Sequence, residues 1–224
     1  NDWLVQTQTA TPVFSFLIYA VYTLTHWEGM FYILYGVLAA VFIISLYAIG
    51  MKLFHFSDHW RWIFLMFMVV INSAALRFII VRVLGVNWVY LLDGGVAGQR
   101  VLGEVLQPSA FGVFLLASVA CFLNNRPGWA VLLLISAAVM HPTYLISAAL
   151  LTLIYMLLVY STRRNWQLSV MIGIVVLIGV LPIVVHTFST FTGADAETVK
   201  QAREILVIYR IPHHAIPSEW VNGS

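Results

Sequence analysis

The residues best suited to chemistry lie near the end of the chain, where Arg210, Ile211, Pro212, His213, His214, Ala215, Ile216 and Pro217 follow one another. Two prolines stiffen the backbone of a short loop that presents one guanidinium and two imidazoles. Arginine suits bidentate phosphate contacts, and a phosphate beside a histidine favours its protonated form. A lipid phosphate or diphosphate head is the natural ligand, although a surface loop whose histidines bond to backbone accounts for the same residues. Zinc is disfavoured, because adjacent histidines on a loop point apart and no Cys partner stands near them. His141, directly before Pro142, can serve as a general acid or base or orient a substrate hydroxyl; equally, it can end a helix and bond a carbonyl. Arg77 interrupts an apolar run, and a charge inside a span is costly enough to point to function. It stands sixteen residues after Arg61, about 24 Å along a helix, so it can snorkel to the headgroups. Arg82 lies about 140° round the same helix, so the two do not share a stripe.

These residues must be positioned by membrane helices. Of 224 residues, 62% are hydrophobic and only 9% charged, against roughly 25% charged in a soluble domain. The composition specifies an all-α, polytopic transmembrane bundle with short or re-entrant helices and an amphipathic helix on its outer face. Nothing in it implies a nucleic-acid partner. The single cysteine, Cys121, rules out an intrachain disulfide. With no initiator Met and no leader, the chain reads as an internal stretch of a longer polypeptide whose first span precedes Asn1.

The organising stretch runs from Arg126 to Arg164. Two apolar segments flank His141 and Pro142, and together they are too long for one span. Pro142 lacks an N–H and disfavours helical geometry at His141, so the break belongs there. Arg126 at one end and Arg163 with Arg164 at the other favour one side of the membrane, which predicts a hairpin with its tip at the outer surface. Thr11 to Leu24 has the length of an interfacial helix. Gly29 to Phe54, Trp60 to Leu84, Pro108 to Leu123 and Gln167 to Phe188 read as further spans, the last bent at Pro182. Gly85 to Gln107 is a polar connection with Asp93, Gly94, Gly95, Gly98 and Arg100, but it carries no nucleotide-binding pattern. The bundle thus occupies residues 1–188 and an extracytoplasmic tail residues 189–224. In the tail, Thr192 to Asp195 reads as a capping box ahead of a stripe of Val199, Ala202, Leu206 and Tyr209.

Charge supports this topology when Thr11 to Leu24 stays on the surface. Lys52, Arg61, Arg126, Arg163 and Arg164 fall inside with Asp58 alone. Asp2, Glu28, Asp93, Glu104, Asp195, Glu197, Glu204 and Glu219 fall outside with Arg100, Lys200, Arg203 and Arg210. That asymmetry is what the positive-inside rule expects, and it gathers the polar chemistry on one outer face.

The layout resembles the C-type (GT-C) glycosyltransferase superfamily. Asn1, Asp2 and Trp3 before a short proline-led helix look like the end of that family's first outer loop. The hairpin tipped by His141 and Pro142 is similar to its short outward helical pairs, and the Arg210 to His214 tail looks like a loop that meets the lipid phosphate. The resemblance implies a multi-pass protein of the bacterial inner (plasma) membrane, transferring a sugar from a polyprenyl-phosphate-linked donor on the extracytoplasmic face. Asp2 would then help activate the acceptor hydroxyl, together with an acid upstream of Asn1, and His141 would join it as a catalytic residue. Arg210, His213 and His214 would bind the departing phosphate, with Arg77 or Arg100 assisting. The cofactor stays open, a divalent cation being compatible with the family. Two other readings fit the composition: a transporter or flippase of a lipid-linked or anionic solute, and a noncatalytic subunit packed against membrane protein partners.

Overall fold

The computed structural model describes residues 9–85, 102, 106–191 and 195–210. All secondary structure among them is helical. Helix α1 spans Pro12–Thr25, α2 Gly29–Phe54, α3 Asp58–Ile71 and α4 Ala74–Leu84. A 3-10 turn, Pro108–Gly112, leads into α5, Val113–Leu123, and α6 is Pro127–Met140. A second 3-10 turn, Pro142–Tyr144, precedes α7, Leu145–Arg163, and α8 is Trp166–Phe191. The tail holds α9, Ala196–Glu204, and a π-helical turn, Ile205–Arg210.

Helix α5 is the axis of the bundle, packed between α2 on one side and α6 on the other, with α7 and α8 against α6. Its buried residues include Ala117, Ser118 and Ala120, and α6 buries Ala130, Ala137 and Ala138; the Ser118 hydroxyl donates to Ala130 O across that seam at 2.8 Å. Small side chains let helix backbones approach closely, the main way to gain packing energy where lipid already satisfies apolar surface. By contrast, Leu150, Leu157, Ile174 and Ile178 are exposed, as lipid-facing residues are. Gly29–Phe54, Pro142–Thr162 and Trp166–Thr190 are each long and apolar enough to cross a bilayer, and the chain is a helical membrane protein.

The expected hairpin is present. His141 is extended (φ −143°, ψ 108°), as a residue before proline should be, and its N–H closes α6 on Ala137 O at 3.1 Å. Helix α8, in contrast, runs through Pro182. Bundle helices tolerate such a proline where neighbours satisfy the freed backbone groups.

Two expectations need correction. The run from Trp60 to Leu84 is not one span but two helices, α3 and α4. The break is made by Asn72, whose amide donates to Met68 O at 2.8 Å, and by Ser73, whose hydroxyl accepts the Leu76 N–H at 3.1 Å. Side chains that offer the backbone a competing partner stop helices. In the tail, the cap is Asp195 rather than Thr192. The Asp195 carboxylate accepts the Thr198 N–H at 2.9 Å and the Thr198 hydroxyl at 2.7 Å. The α-helical register lapses after Glu204 into a π-helical turn, so Tyr209 does not stand at α-helical spacing from Val199.

Those bonds from Thr198 hold the Asp195 carboxyl below its ordinary value. A depressed carboxyl stabilises the folded form above its unfolded value and loses that contribution as pH falls through the folded one. Amide exchange at Thr198 should therefore quicken as pH drops below about 4, relative to amides within α7. Asp195→Asn, which keeps a capping oxygen, should remove the pH dependence but not the protection. A pH dependence that survives in Asp195→Asn would discard the assignment.

Candidate functional site

The hairpin tip is built from the backbone outward. Pro142 forces His141 out of α6, and the 3-10 turn brings the Tyr144 N–H back to His141 O at 2.9 Å. The Tyr144 ring then stands edge-on to the imidazole, with centroids 5.5 Å apart and planes at 78°. Its hydroxyl donates to Ser109 O at 2.6 Å, fastening the tip to the start of α5. Gly112 makes that approach possible, since a Cβ there would lie 2.6 Å from Tyr144 Cζ.

Within this clamp, His141 Nδ1 is buried and finds no hydrogen-bond partner among the described residues. Buried polar atoms are usually paired, so an orphan requires a reason. Burial holds the imidazole's proton affinity below the usual histidine range. It is therefore neutral at pH 7, leaving one ring nitrogen to accept a proton and the other to donate a hydrogen bond.

Other polar groups collect at the same end. His186 Nε2, near the end of α8, lies 3.1 Å from Thr9 O, in the segment that leads into α1. Phe14 of α1 meets Phe111 edge-on at 6.0 Å. Leu106, Phe14, Phe111 and Met140 belong to one apolar cluster around Leu38. Thr9, Ser109, His141 and His186 thus share the end of the bundle opposite the tight α5–α6 turn at Asn124–Arg126.

A second feature adjoins that cluster. Helices α1 and α2 diverge from their joining turn and leave an open groove of about 930 Å³. Phe14, Ile18 and Tyr22, one helical face of α1, form one wall; Phe31, Tyr32 and Tyr35 form the other. Glu28, in the turn that joins the two helices, and Leu106 also line it.

Of the residues singled out in the sequence, the structure describes His141 completely. Asp2, Arg100, His213 and His214 lie outside the described residues, as do the side chains of Arg77 in α4 and Arg210 at the end of the π turn. The clamp by Tyr144 and the groove escaped the sequence reading. The spacing of Phe14, Ile18 and Tyr22 signals the α1 wall, but the facing wall depends on how α2 packs. Among the described residues no group of three or more His, Cys, Asp or Glu side chains is placed to hold a metal ion. No family model, no curated protein and no solved structure matches the chain.

Proposed function

We propose that the protein is a membrane glycosyltransferase that takes a sugar from a polyprenyl-phosphate-linked donor at the extracytoplasmic surface of a bacterial inner membrane. The observation that carries the reading is His141 Nδ1, a buried, unpartnered nitrogen on a half-buried, neutral imidazole at a fastened helical tip. A neutral imidazole is suited to accept a hydroxyl proton during attack on the donor sugar once the clamp opens enough for that hydroxyl to reach the nitrogen. Asp2 assists in activating the acceptor. Arg210, His213 and His214 neutralise the departing lipid phosphate, with Arg77 or Arg100 assisting. Catalysis of this kind rests on positioning and charge stabilisation and needs no covalent intermediate.

The test is the full chain in liposomes with a panel of radiolabelled polyprenyl-phosphate sugars and a photoreactive polyprenyl phosphate. The reading expects protein-dependent release of polyprenyl phosphate and crosslinks near Thr9, Ser109 and His141. Absence of turnover across the panel, with no crosslink at that end, would remove it. A noncatalytic subunit is the second reading. It draws on α3 and α4, where Trp62, Phe67, Val70 and Phe78 are exposed. Co-purification of a stoichiometric membrane partner that buries those residues would favour it.

A further inference from the structure

We infer that the groove between α1 and α2 is a lipid headgroup site selective for a primary ammonium, the head of an ethanolamine phospholipid. The level of the groove is set by α2, whose 26 residues extend about 39 Å against a hydrocarbon core of about 30 Å. Its first turns, which supply Phe31, Tyr32 and Tyr35, therefore reach the headgroup layer. Tyrosine is at home there, with an apolar ring and a hydroxyl at the water boundary.

The charge in the groove decides which head enters. Among the described residues of its walls, Glu28 is the single carboxylate and there is no Lys or Arg. No described cation pairs with Glu28; the single described ion pair joins Arg61 to Asp58. Glu28 also leaves the end of α2 without a side-chain cap bond, so its carboxylate is not committed to the helix. An anionic phosphate head meets like charge at Glu28. An ammonium head meets a carboxylate to which it can donate, beside tyrosine rings whose faces attract cations. The lipid phosphate then lies outward, towards the open mouth, and the first methylenes of the tails run along Phe14 and Ile18. This site is separate from the His141 nitrogen and does not rest on the transferase reading.

Native mass spectrometry of the detergent-purified full chain tests it, with palmitoyl-oleoyl phosphatidylethanolamine and phosphatidylglycerol in equal amounts. The expected result is at least a roughly ten-fold preference for the ethanolamine lipid, the size of one charge-assisted hydrogen bond. Glu28→Gln, at an exposed position, should bring the two lipids to near parity. Tyr32→Ala, also exposed, should lower retention of ethanolamine lipid several-fold with Glu28 intact. Equal retention of the two lipids by the wild-type chain, or an unchanged preference in Glu28→Gln, overturns the inference. So does displacement of the ethanolamine lipid by polyprenyl phosphate at equal concentration, because the groove would then take an anionic head.

Discussion

His141→Ala should lower turnover of a lipid-linked sugar about 10²–10⁴-fold, the usual worth of a positioned general acid or base, while the protein still elutes as a folded species in detergent. The fold should survive because the backbone of His141, not its ring, closes α6 and receives the Tyr144 N–H. The ring's one aromatic neighbour in the turn, Tyr144, keeps its separate anchor on Ser109 O. The pH profile distinguishes a base from a spectator. Since burial lowers the proton affinity of this imidazole, the neutral form persists to more acidic pH than in a free histidine. The acidic limb of the rate should thus fall below about 6.5. His141→Gln adds a further distinction, because an amide can orient a hydroxyl but cannot take its proton. Activity nearly restored by Gln would reassign His141 as an orienting donor. Activity within a few-fold of wild type in His141→Ala would end its catalytic role.

The same turn illustrates what can be read from a membrane sequence. Pro142 acts on its own neighbour by excluded volume, so the break at His141 is local and legible. Asn72 and Ser73 carry an equally local signal, two side chains able to bond backbone inside an apolar run. In the run from Trp60 to Leu84 that competition outweighs the hydropathy that would otherwise make one span. The capping-box pattern at Thr192 to Asp195 implied a helix starting three residues earlier than it does; the carboxylate's bonds from Thr198 and the helix boundary place the cap at Asp195. What stays hidden is non-local. The bond from Tyr144 to Ser109 joins residues 35 apart, and the His186 contact with Thr9 joins residues 177 apart. No periodicity encodes such pairings, because a bilayer-facing helix and a bundle-facing helix are both apolar. The groove follows the same logic, since its α1 wall is a visible stripe and its facing wall depends on how α2 packs.

Tyr155→Ala should be the most damaging substitution for the fold, costing about 3–5 kcal/mol as a large-to-small change at a buried aromatic site. Tyr155 is 3% exposed, and its ring lies flat on Phe122 at a centroid distance of 4.1 Å and 8° between planes. Its hydroxyl is 3.0 Å from Ser118 Oγ, and Ser118 in turn donates to Ala130 O at 2.8 Å. A serine hydroxyl has one proton; with that proton on Ala130 O, Tyr155 must be the donor to Ser118. One side chain of α7 thus joins α5 through stacking and α6 through a relay, at the centre of the cluster containing Leu134, Ile172 and Val176. The two contributions separate cleanly. Tyr155→Phe keeps the ring and loses only the bond, for which about 0.6 kcal/mol, and at most about 1.7, is the expectation between membrane helices. Ser118→Ala removes the same bond from the other side together with the one to Ala130 O, so the double variant should cost less than the two single costs combined. The readout is the midpoint of unfolding in mixed micelles, with maleimide labelling of Cys121, partly buried on α5 beside this cluster, as a report of local opening. Tyr155→Ala should expose Cys121 to label at detergent concentrations where Tyr155→Phe still protects it. If Tyr155→Phe were as destabilised as Tyr155→Ala, the relay rather than the stacked ring would be holding α5, α6 and α7 together.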